Sequence, residues 1–183
     1  SRVRGGNNTV EIRISSESIH AFQHSIDLLF LLNEDAFYRL EDRVSHQTTI
    51  FTEAELKLNE MAKEAGGSIL MNVILFGFIG SLLKLDKNSC TVRIRGKFKN
   101  KSEKIIEDNL KAFELGYQKG SYYSIPKQID KTAFSRNYKT IDGNEAVGIG
   151  ALAGGCNFIA AYPMSPSTGV FLYLINQAKN FNI

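Results

Sequence analysis

Apolar and polar positions divide the chain into short elements. Val10, Ile12 and Ile14 alternate with Glu11 and Arg13, the period of a half-buried strand over Thr9 to Ile14. No period holds from Ser15 to Gln23, which reads as turn and loop. Ile26 to Leu32 is a continuous apolar run closed by Asn33-Glu34, and its length predicts a central parallel strand. Glu34 to Arg43 sets Ala36, Phe37 and Leu40 on one helical face, and Thr48 to Phe51 reads as a short strand. Thr52 is placed to cap a helix reaching Ala65, with Glu55 in the capping-box position and Gly66-Gly67 as the stop.

Ile69 to Leu85 is apolar nearly all round, the pattern of a buried helix. Thr91 to Ile94 predicts a short strand. Ile106, Leu110, Phe113 and Tyr117 recur every three or four residues with charges between them, giving an amphipathic helix over Ser102 to Gln118 that Gly120 ends. Residues 121–141 show no period and read as a linker. Asp142 and Glu145 repeat the capping-box pattern ahead of a small apolar helix that stops at Gly154-Gly155. Cys156 to Ala161 predicts a buried strand. Tyr162 to Thr168 follows as a loop, because Pro163 and Pro166 forbid ladder pairing. Ser167 or Thr168 is then placed to cap a last helix from Gly169. Strands alternating with helices predict an α/β fold with a mainly parallel sheet, in which a loop past a strand's carboxyl end is where ligands bind.

Composition narrows this little. With 43% hydrophobic and 22% charged residues in 183, the chain is globular, with one or two core-forming domains. A net charge of +3 does not by itself imply nucleic acid. Cys90 and Cys156 are too few for a disulfide framework or a four-thiolate cluster, and predict a reducing, cytoplasmic setting. The most apolar window, Val73 to Leu83, is too short to span a bilayer. The chain opens on Ser1 without a methionine and closes just after a helix, so both ends are expected to be cut.

Several residues invite chemistry and have plainer readings beside it. Arg2 and Arg4 in a glycine-rich turn suit a phosphate, or simply a surface turn. His20 and His24 have the spacing of a helical metal pair without a third ligand, and His46 reads as solvated. Arg93 to Lys101 is the one basic run, interleaved with Phe98. It suits a nucleic-acid backbone, a solvated edge, or a face for an acidic electron carrier. Gly148, Gly150 and Gly154 lie inside a helix rather than between strand and helix, so they are no dinucleotide fingerprint. Small residues there let the helix approach a neighbour. Taken alone, 142–180 is a helix-strand-helix piece of any α/β domain.

The motifs in that piece are more specific than its composition. Gly143-Asn144-Glu145-Ala146, Gly155-Cys156, Tyr162-Pro163, Pro166 and Ser167 closely resemble the start of the pyrimidine-binding domain of 2-oxoacid:ferredoxin oxidoreductases, which are thiamine-diphosphate enzymes. Met164 and Thr168 are mild departures. Ser165 stands where that family usually has a threonine beside thiazolium and substrate, keeping the hydroxyl and losing the methyl. The earlier part resembles the γ domain of the same enzymes through Ser1 to Asn8, Asp27 to Asp35, Asn72 to Gly77 and Asn109 to Tyr117. Asn7 replaces a usual histidine, the strand and turn that open the family's γ domain are missing, and Ser45 to Leu56 is shorter than the family's loop.

The resemblance implies a three-layer γ-type domain with a mainly parallel sheet over 1–120, a linker over 121–141, and a truncated pyrimidine-binding domain over 142–183. It implies an α-subunit piece of an enzyme of anaerobic metabolism that decarboxylates a 2-oxoacid, with an acyl-CoA as product. Ser165 would be the catalytic, substrate-side hydroxyl, with Tyr162, Pro163, Met164 and Ser167 shaping the cofactor wall. Thiamine diphosphate would be shared with a β subunit carrying the diphosphate site, and Mg and iron–sulfur clusters would sit in partner subunits or domains. The expected assembly is a hetero-oligomer handing electrons to ferredoxin, without membrane or nucleic-acid partners. The alternative is a non-catalytic assembly piece of such a complex.

Overall fold

A computed structural model describes residues 8–15, 19, 21–126, 141–162, 164–165 and 167–181. The chain divides into two units, Ser1–Ala133 and Phe134–Ile183.

In the first unit, β1 (Leu28–Leu31) pairs in parallel with β2 (Thr49–Thr52), with Phe30 opposite Phe51. The expected parallel pairing is present. Phe30 and Phe51 stack at 5.3 Å on the same face, and Phe78 and Tyr123 close on Phe51 edge-on at 5.3 and 5.8 Å. Residues between the strands form two 3-10 turns, Glu34–Arg39 and Glu41–Arg43, rather than one α-helix. The Asn33 side chain caps the first by accepting from the Asp35 amide.

Thr52 caps α1 (Glu53–Leu56) through the Glu55 amide, as its position predicts. The helix does not run on to Ala65. Lys57 takes a left-handed conformation with φ 56°, and α2 (Leu58–Glu64) starts afresh. Glu53 makes the break tolerable: its carboxylate accepts from the Leu58 and Asn59 amides, two donors that the interruption frees.

The core lies where α3 (Met71–Leu82) meets α5 (Glu103–Gly120). Ile74, Phe78 and Leu82 recur at four-residue spacing and are buried, as are Ala112 and Phe113 opposite. The helices touch through backbone. A Cβ on Gly77 would strike the Phe113 carbonyl, and one on Gly116 would strike the Ile74 carbonyl. Two further expectations fail in this unit. Residues 91–94 belong to a helix, α4 (Lys87–Phe98), because Asp86 caps it through the Ser89 amide and the Cys90/Ile94 pair buries one face beside Phe113. Thr9 to Ile14 forms no strand: Val10 and Ile12 are 88% and 80% exposed, and no ladder reaches them among the described residues. Part of the presumed linker belongs to the core, since Ile125 is buried and Tyr123 packs against Phe78.

The second unit consists of α6 (Gly143–Ala153) and α7 (Ser167–Phe181). The Asp142–Glu145 capping box forms in both directions, at 2.8 and 3.0 Å. A Cβ on Gly148 would enter the Tyr173 ring, so the small-residue helix does pack closely on a neighbour. Cys156 to Ala161 is irregular chain rather than a buried strand, with Phe158 81% exposed. An apolar run becomes a strand only when another strand satisfies its backbone, and none does so here among the described residues.

No helix among the described residues is long and apolar enough to cross a membrane.

Candidate functional site

The loop between α6 and α7 holds the predicted site residues. Tyr162 and Met164 project into solvent, 79% and 63% exposed, and Ser165 and Ser167 are exposed as well. Pro163 lies outside the described residues, as do Pro166, Arg2, Arg4 and His20. A tight turn shapes the loop, with the Met164 amide donating to the Tyr162 carbonyl at 2.8 Å.

The two serines differ in what their hydroxyls do. Ser167 donates to the Met164 carbonyl at 2.8 Å, and the Thr168 amide donates to the same carbonyl at 3.3 Å. Ser167 therefore fastens the first turn of α7. The Ser165 hydroxyl has no hydrogen-bond partner among the described residues and sits just ahead of the helix. There the positive end of a 15-residue helix dipole favours an anion such as a carboxylate. One serine holds the loop and the other is available to a ligand.

Asp142 and Glu145 are the only acids between residues 134 and 183, and each is engaged in the capping box. Each carboxylate is held at the start of α6 by the backbone amide it accepts from. No group of three metal-ligating side chains occurs among the described residues. His24 instead bonds the Asp42 carbonyl at 3.1 Å and lies 3.5 Å from its carboxylate. The described residues thus fit one service to a thiamine cofactor, a substrate-side hydroxyl, and fit neither the ring-protonating acid nor the metal clamp.

The sequence did not point to an open cleft of about 650 Å³ past the carboxyl ends of β1 and β2, lined by Leu31, Phe37, Tyr38, Ile50 and Ala54 among others. Its polar neighbours Asn33, Thr52 and Glu53 are used in local caps, so its wall is chiefly apolar. The only signal was the pair of capping residues at the two strand ends.

Cys90 and Glu114, both in the first unit, titrate away from their ordinary values. Burial raises the Cys90 thiol pKa, Asp86 adds to the rise, and Arg93 opposes it. The Lys87 hydrogen bond lowers that of Glu114, against a smaller opposing effect of burial. Lys87 Nζ lies 2.7 Å from the Glu114 carboxylate, tying α4 to α5.

The family model described as pyruvate ferredoxin/flavodoxin oxidoreductase matches residues 1–119, more than half of the chain. The chain belongs to this family. No curated protein matches it. Among solved structures, it resembles the 2-oxoglutarate:ferredoxin oxidoreductase from Magnetococcus marinus, solved with 2-oxoglutarate, coenzyme A and succinyl-CoA bound. That likeness has a TM-score of 0.80 at 22% identity, over 91% of this chain and 32% of the other. At that identity it shows the fold, and the α/β class expected from the sequence stands. The chain spans about a third of the length of that relative.

Proposed function

We propose that this chain contributes to a 2-oxoacid:ferredoxin (flavodoxin) oxidoreductase and supplies the substrate-side wall of its thiamine site. The overall reaction breaks the bond between a 2-oxoacid's carbonyl and carboxylate carbons and releases CO₂. It forms a thioester to coenzyme A, and two electrons leave one at a time to ferredoxin or flavodoxin. Thiamine diphosphate, when bound, stabilises the carbanion that decarboxylation leaves. Its diphosphate, its Mg and the iron–sulfur clusters are assigned to partner subunits or domains.

The available Ser165 hydroxyl carries the reading. It donates to the oxoacid's carboxylate or carbonyl oxygen, at a helix start whose dipole favours negative charge. Tyr162 and Met164 form the apolar wall that excludes water, with Pro163 assigned beside them, and Ser167 holds the turn. The proposed division places a γ-type domain at 1–120, a linker at 121–141 whose first residues pack on that domain, and the start of the pyrimidine-binding domain at 142–183.

The engagement of Asp142 and Glu145 in capping favours the competing reading, a non-catalytic assembly piece. Thiamine diphosphate titration separates the two. The chain alone should bind the cofactor poorly, and the chain with the β subunit that carries the diphosphate site should bind it tightly. A β complex that assembles yet binds no better than the β subunit alone would leave only the assembly role.

A further inference from the structure

The basic run of the sequence acquires a direction once α4 is seen as a helix. Cys90 and Ile94 are buried, and Phe98 packs half-buried into the same cluster around Phe113. At about 100° per residue, Val92, Gly96 and Lys99 fall on the opposite side, with Arg93 and Arg95 flanking them. Residues 87–101 hold six cations and no carboxylate, in a chain whose net charge is only +3. Lys87 is committed to Glu114 and Arg95 reaches Glu103 at 3.7 Å. Arg93, Lys97, Lys99 and Lys101 make no ion pair among the described residues.

Two further features lie on that outer face. Val92 is 68% exposed amid the cations. Gly96 sits inside the helix with nothing within 4 Å of where a Cβ would be. A glycine there weakens the helix relative to alanine, and no neighbour among the described residues uses the space it leaves.

We propose that the face formed by Val92, Gly96 and Lys99, flanked by Arg93 and Arg95, docks the acidic one-electron carrier, ferredoxin or flavodoxin, of the reaction proposed above. The inference rests on that functional reading. Three observations choose this occupant. Phe98, the one aromatic in the run, is turned into the core, so the face has no platform on which bases could stack. One exposed valine among cations is too little apolar area for a permanent subunit contact, whose centre would be broad and apolar. Exposed rim charges raise the rate of encounter more than the lifetime of a complex. That suits a carrier which must leave after each electron.

In the assembled oxidoreductase, the triple variant Arg93→Glu/Arg95→Glu/Lys99→Glu should raise the KM for ferredoxin about tenfold or more. Its 2-oxoacid-dependent reduction of methyl viologen, a small dye needing no docking face, should stay at the wild-type rate. Gly96→Ala, which leaves every charge in place and favours the helix, should also raise that KM by filling the notch. In the unaltered enzyme, the KM should climb steeply between about 0.05 M and about 0.2 M salt. An unchanged KM in both variants, or a salt-independent one in the parent, overturns the proposal. Binding of a labelled single-stranded oligodeoxynucleotide that the triple variant abolishes, with carrier KM unmoved, overturns it in favour of nucleic acid. Dye reduction with no turnover of either carrier removes the functional reading itself, and the docking face with it.

Discussion

Single residues carry the sharpest consequences. Two glycines in similar helices have opposite outlooks. Gly116→Ala would push a Cβ into the Ile74 carbonyl, with backbone on both sides, and should destabilise the fold by about 2 kcal/mol or more. Gly96→Ala meets open space and should stabilise by up to about 1 kcal/mol. Urea melts of both variants check the pair, and equal shifts would contradict the close crossing of α3 and α5. Lys57 is a third case. Its left-handed backbone at φ 56° carries strain that Lys57→Gly should relieve by roughly 0.5 to 1 kcal/mol, visible as a higher denaturation midpoint. The Lys57 break was not legible in the sequence, because Thr52 and Glu55 predict a start of helix and nothing nearby spells a stop. It is accommodated by Glu53, whose carboxylate caps two amides five and six residues on.

At the scale of elements, what the sequence shows well is what depends on neighbours in the chain. The Thr52 cap, the Asp142–Glu145 capping box, the glycine stops and the α5 period all follow from contacts within a turn or two. What it shows poorly is whether a β-rich run finds a partner. Leu28–Leu31 and Thr49–Thr52 find each other, whereas Thr9 to Ile14 and Cys156 to Ala161 carry equally suitable residues and form no ladder. Residues 91–94 show the reverse, where the Asp86 cap and Phe113 packing override local β-propensity. The α4–α5 contact also has a pH signature. The Glu114 pKa is lowered when folded, so the stabilisation it brings is present above the ordinary glutamate range. It is lost as pH falls through the lowered value. Because the pair is partly exposed, the effect is small and screened by salt. Glu114→Gln should flatten the acid limb of the stability curve, and an unaltered limb would mean that Lys87 does not hold it.

For the whole molecule, the candidate site was legible as a motif but not as a geometry. The loop residues Tyr162, Met164, Ser165 and Ser167 could be named from their order. Only the structure separates the serine that fastens α7 from the one that remains available. The structure also holds Glu145 in the Asp142 capping box, and the proposed reading assigns the ring-protonating acid and the metal to groups outside this chain. The most direct measurement is therefore the steady-state rate of 2-oxoacid- and coenzyme-A-dependent ferredoxin reduction by the assembled enzyme carrying Ser165→Ala. Turnover should fall by about ten- to a hundredfold, with the melting temperature unmoved and with much of the rate restored by Ser165→Thr. An unchanged rate in a properly assembled alanine variant would contradict the assignment of this loop to the reacting substrate.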